Sequence, residues 1–144
     1  MSEELEQFKS ECEKLVEDKK YNELLTICET KLEELNKTAS DNKEFLAYVY
    51  FAIGYANAIG LENYDNAIEY YNKAIELKPD YTGAYNNRGY AKYKLGNFQE
   101  AIEDYNKAIE FKPDFTEAYN NRGYAKTELG KLQEAIEDFN KAIK

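Results

Sequence analysis

The nine residues AYNNRGYAK occur twice in this chain, at Ala84–Lys92 and at Ala118–Lys126, 34 positions apart. Chance does not write a repeat of that length. A fixed period of about 20–50 residues marks supersecondary units that bury a core only by stacking on one another. Extended outward, the copies give one 34-residue unit, 82–115, and a second, 116–144, that stops short. An earlier unit, 47–81, matches with one extra residue in its middle turn.

The aligned columns carry a helical pattern. Tyr50, Tyr85 and Tyr119 coincide, as do Gly54, Gly89 and Gly123; Ala67, Ala101 and Ala135; Tyr71, Tyr105 and Phe139; and Ala74, Ala108 and Ala142. Within one unit Tyr85, Gly89 and Tyr93 recur at helical spacing, and Gly96-Asn97 breaks the pattern. Ala101, Ile102, Tyr105, Ala108 and Ile109 then resume it at i, i+3 and i+4. Each unit therefore reads as two antiparallel helices. Asn97 is expected to cap the second, with Glu100 completing a capping box, and Asp114 to cap the helix that follows Pro113. Gly89 and Ala101 let the two helices approach closely, while the large rings fill the space between pairs.

Tyr85, Gly89, Gly96, Phe98, Ala101, Tyr105, Ala108 and Pro113, with their counterparts in the neighbouring units, resemble the signature of tetratricopeptide repeat (TPR) proteins over residues 47–144. The resemblance implies an all-α fold, a right-handed α-solenoid of antiparallel helix hairpins. One departure is Arg88 and Arg122, where that family commonly places Leu; Ile53 keeps to type. Residues 1–38 read as a degenerate N-terminal hairpin. Phe8, Val16, Tyr21, Leu24, Leu25, Cys28 and Leu32 supply its apolar stripes, but Cys12 and Leu24 stand where small residues are expected. Its acidic outer face would solvate the end of a stack. Residues 38–42 are the expected linker, with Asp41 as a cap. At the other end Ile136, Phe139 and Ile143 are expected to expose apolar area, either because the chain is cut from a longer one or because this face pairs with another copy as a homodimer.

Composition excludes more than it specifies. Net charge is −9, which disfavours nucleic acid and anionic membrane as partners. Residues 1–46 hold 7 Lys/Arg against 13 Asp/Glu, so the acidity is concentrated there. There is no His, which removes the usual general base and the commonest metal ligand. Without a phosphate loop, a nucleophile elbow or metal-ligand spacing, no catalytic residue, metal or cofactor is expected. Cys12 and Cys28 read as two reduced, buried thiols of a cytoplasmic protein, against a disulfide or a reactive thiol. The first residues, Met1-Ser-Glu-Glu-Leu-Glu, lack a basic and an apolar region, so no secretory leader is expected, and no apolar run approaches the ~20 residues of a membrane helix.

Two sets of polar residues inside the repeat need an explanation. Where the first helix has Arg88 or Arg122 the second has Asp104 or Asp138, and where it has Ile53 the matching residue is Tyr70. The columns switch together, which predicts an Arg–Asp pair inside each of two hairpins; the competing reading gives the arginines to a ligand carboxylate. The second set lies on first helices, which line the concave wall of such a stack. That wall should carry Tyr48, Phe51 and Tyr55, then Asn86, Asn87, Tyr90, Tyr93 and Lys94, then Asn120, Asn121, Tyr124 and Glu128. An asparagine amide both donates and accepts, and tyrosines give flat contact area at low rotamer cost, a combination suited to an extended peptide. Alternatively the asparagines only solvate a helix or tie loops. A subclass of TPR proteins grips acidic chaperone tails with basic side chains, but the matching places here hold Phe51, Gly83 and Glu117. The expected partner is a neutral or basic peptide.

Overall fold

The computed structural model describes residues 2–38 and 41–143, so part of the expected 38–42 linker lies outside the described residues. Those residues form eight α-helices and no strand: α1 (Ser2–Glu17), α2 (Tyr21–Asn36), α3 (Lys43–Tyr55), α4 (Tyr64–Leu77), α5 (Thr82–Lys94), α6 (Phe98–Phe111), α7 (Thr116–Glu128) and α8 (Leu132–Ile143). They group into two compact units, Met1–Lys78 and Pro79–Lys144.

In the first unit α1, α2 and α3 close around Leu5, Phe8, Cys12, Leu24, Cys28, Phe45, Val49 and Ile53, all buried. Cys12 and Cys28 are free thiols in that core. A hydrogen bond between them, reinforced by burial, pushes the Cys28 thiol far above its ordinary range. The extra residue of the 47–81 unit is absorbed by a π-helical turn, Ala56–Gly60, at the end of α3. A π turn is an α-helix with one residue inserted, and it leaves backbone groups to satisfy. Buried Asn57 does this, its side chain donating to the Ile53 carbonyl at 2.9 Å while its own carbonyl accepts from Asn63 N–H at 2.8 Å. Gly60 is tightly enclosed: a Cβ there would stand 2.4 Å from Tyr21 Cβ.

One steric device recurs in three hairpins. A Cβ on Gly54, Gly89 or Gly123 would lie 2.6, 2.7 and 2.7 Å from the ring of Tyr71, Tyr105 or Phe139 respectively. The glycine admits the ring, and the ring holds the two helices together. Tyr71 and Tyr105 are fully buried, and Ala125 of α7 joins Ala101, Ile102 and Tyr105 in one core cluster.

The caps differ from expectation. Asn97 holds the N-cap position of α6 but makes no side-chain cap bond. Its counterpart Asn63 does accept from Asn66 N–H, at 3.3 Å. Asp114 does not cap α7; Phe115 occupies that position, and the turn closes through Phe115 N–H on the Lys112 carbonyl at 3.0 Å. Asp41 accepts from Lys43 N–H at 3.4 Å, with Asn42 at the N-cap position.

Candidate functional site

The repeated motif resolves into separate tasks. Ala84 and Ala91 are buried, and Gly89 faces the Tyr105 ring. Arg88 donates through Nε to Asp104 Oδ2 at 2.9 Å and through Nη2 to Oδ1 at 2.7 Å. Arg122 meets Asp138 at the same two distances. Both carboxylates are nearly fully buried, at 4% and 1% exposure. Each has a second partner that sequence reading missed: Lys92 Nζ lies 3.0 Å from Asp104, and Lys126 Nζ 2.9 Å from Asp138. Arg88 with Lys92, and Arg122 with Lys126, are i, i+4 pairs on one helix face, which was the available signal. Burial pushes the Asp138 carboxyl up, but hydrogen bonds and charge from Arg122 and Lys126 outweigh it and hold the group below its ordinary value. Arg122 also donates to Asn106 Oδ1 at 2.8 Å, tying α7 to α6.

The asparagines divide unexpectedly. Asn86, placed on the wall by sequence reading, is 1% exposed and is corrected to an interior residue. It donates to Asn87 Oδ1 at 3.4 Å and accepts from Asn121 Nδ2 at 3.2 Å, a short ladder joining α5 to α7. A fully buried amide has to be paired, and the next hairpin supplies the partner. Asn87, Asn120 and Asn121 are half-buried.

Two cavities collect the aromatic residues. In the second unit a cavity of about 250 Å³ is lined by Tyr90, Tyr93, Lys94, Tyr105, Asn121 and Tyr124. Asn87 and Asn120 do not line it. Tyr124 is 51% exposed at its mouth, and its ring meets Phe139 edge-on at 5.1 Å. Burial, with Glu128 nearby, raises the Tyr93 hydroxyl above its ordinary value. The Tyr105 hydroxyl is buried without a hydrogen-bond partner, and burial raises it strongly. In the first unit Tyr48, Phe51 and Tyr55 of α3 line a larger cavity, about 410 Å³, with Cys12, Val16 and Leu24 opposite and Glu13 and Glu17 also at its boundary.

At the C-terminal helix Ile136 is 50% and Ile143 83% exposed, whereas Phe139 is half-buried against Gly123 and Tyr124. Among the described residues no cluster of His, Cys, Asp or Glu is arranged to hold a metal ion, and no helix is long and apolar enough to cross a membrane.

The tetratricopeptide repeat profile matches residues 83–115 and 116–144, and a second TPR profile matches 61–96. The chain belongs to the tetratricopeptide repeat family. The second TPR domain of Spaghetti (RPAP3), solved with the HSP90 peptide SRMEEVD, is 31% identical over 71% of this chain and 93% of that one, with a TM-score of 0.67. The TPR domain of Arabidopsis OM64 is 31% identical over 70% of this chain and 83% of that one, with a TM-score of 0.68. MamA is 28% identical over 96% of this chain and 84% of that one, also at 0.68. A comparison with curated proteins finds no match.

Proposed function

We propose that this TPR chain is a protein-interaction scaffold that holds a peptide segment against its tyrosine-lined first helices, as a degenerate hairpin at 1–38 followed by repeats at 47–81, 82–115 and 116–144. The observation that carries the reading is the cavity between α5 and α7, where four tyrosines, a lysine and an asparagine amide converge. Such a mixture of flat rings and a few directional polar groups is what peptide and ligand clefts present. The RPAP3 likeness supports a peptide as the occupant. That peptide is acidic, and this chain's charge of −9, with Phe51, Gly83 and Glu117 in the clamp positions, favours a neutral or basic one instead. Nothing in the cavity pairs a nucleophile with a base, so no catalytic role is assigned. Two buried free thiols suit a reducing, cytoplasmic setting.

Peptides selected on the intact chain from a random displayed library provide the test. Tyr124→Ala, a change at a half-exposed ring, should weaken a selected peptide about tenfold at a stability cost no larger than its edge-on contact with Phe139, about 1 kcal/mol. Equal affinity in the variant, or no selectable peptide, overturns the reading. A second reading is favoured by the exposure of Leu132, Ile136 and Ile143 on α8, a face that could pair with another copy. A dimer in sedimentation that dissociates on Ile136→Glu would select it.

A further inference from the structure

We propose that the cavity enclosed by α1, α2 and α3 is a socket for a peptide segment that carries a large aliphatic or aromatic side chain with a lysine or arginine within two residues of it. The inference rests on the peptide-binding reading and adds the chemistry of one subsite.

The cavity walls set the first half of that specification. At about 410 Å³ the cavity falls in the range of roughly 300–1,000 Å³ typical of ligand clefts. Its sides are Val16 of α1, Leu24 of α2, and Tyr48, Phe51 and Tyr55 of α3. An apolar side chain seated there leaves water for a wall of rings and methyl groups.

The boundary sets the second half. Glu13 and Glu17 stand four residues apart on α1, both exposed, so their carboxylates share one face and repel each other. Among the described residues neither is paired with a cation. Lys9, four residues before Glu13, is engaged elsewhere: its Nζ lies 3.6 Å from Glu6 and 5.4 Å from the centre of the Tyr48 ring. Residues 1–46, with 7 Lys/Arg against 13 Asp/Glu, add a negative field around the opening. A cation brought in beside the apolar side chain relieves that repulsion, whereas an acidic neighbour increases it. This separates the socket from the second unit's cavity, whose lining has a lysine and no acid.

The test uses the full chain and peptides selected on it from a random library, resynthesised and titrated. The expected peptides place Phe, Leu, Ile or Met beside Lys or Arg. Glu13→Gln/Glu17→Gln, two surface changes that keep side-chain shape, should weaken them about fivefold at low salt, with melting temperature unchanged. The difference from wild type should shrink as salt is added. Selected peptides that lack a basic residue and bind the glutamine variant equally, yet lose affinity on Tyr124→Ala, overturn this inference and leave the broader reading standing. Failure to select any peptide overturns both. Sedimentation that shows the wild-type chain dimerising, and Glu17→Lys abolishing the dimer, assigns the socket to a second copy and also overturns it.

Discussion

The hairpins α3/α4 and α5/α6 share one steric device and differ in what surrounds it. In both, a glycine on the first helix receives a tyrosine ring from the second, Gly54 with Tyr71 and Gly89 with Tyr105. Beside that contact α3/α4 is apolar: Ile53 is buried, and Tyr70 stacks on Tyr50 with centroids 6.2 Å apart. At the same columns α5/α6 is ionic, with Arg88 and Lys92 converging on Asp104. The glycine–ring contact is therefore common to both hairpins, and the neighbouring columns differ in chemistry as a set. A carboxylate buried to 4% exposure is tolerable with two cations on it and costly with none.

The largest effect should come from breaking one set. Asp104→Leu leaves Arg88 and Lys92, each under one-fifth exposed, without their common anion. The expected loss is about 3 kcal/mol in chemical denaturation, the low end for a broken buried pair. Arg88→Ile/Asp104→Tyr brings in the apolar pair of α3/α4 but still leaves Lys92 without its anion, so it should recover part of the loss. If the single change is neutral, or the double variant is no more stable than the single one, the columns are not coupled.

The next effect is pH-dependent and belongs to the α7/α8 copy. Asp138 is held below its ordinary carboxyl value of 3.8 by Arg122 and Lys126. A depressed acid contributes stability that is complete above the unfolded value and lost as pH falls through the folded one. Wild type should therefore destabilise progressively below about pH 4, and Asp138→Asn should lower stability at neutral pH while flattening that acid limb. An acid limb of the same slope in both proteins would remove Asp138 from the set of groups that govern it.

What could be read from the sequence follows from what is local. The glycine and ring columns repeat at a fixed period, so alignment exposed them. The rings were expected between hairpins, but Tyr71, Tyr105 and Phe139 instead pack on the glycine of their own hairpin. Lys92 and Lys126 escaped because a helix-surface lysine ordinarily points to water; only the shared i, i+4 offset from Arg88 and Arg122 hinted otherwise. Asn86 and Asn87 are indistinguishable as letters, and which one turns inward is decided by where α7 places Asn121. The extra residue of the 47–81 unit could be counted, but its absorption as a π turn depends on Asn57 finding the Ile53 carbonyl. The α1–α3 cavity was invisible because its two sides come from segments with no shared repeat.

The smallest predicted effect concerns the ring column itself. Tyr105 and Phe139 occupy equivalent places, each against a glycine whose added Cβ would lie 2.7 Å from the ring, and differ by one hydroxyl. Phe139 demonstrates that the ring alone suffices for the contact. The Tyr105 hydroxyl is buried without a hydrogen-bond partner, a desolvation cost of about 1–3 kcal/mol that phenylalanine does not carry. Removing it forfeits a little dispersion and leaves a small void, so the net gain is smaller than the desolvation cost. Tyr105→Phe should raise stability by about 1 kcal/mol in denaturant titration, making α5/α6 match α7/α8 at this position. A loss of stability would mean that the hydroxyl is satisfied in solution, and that the two hairpins differ there in bonding as well as in composition.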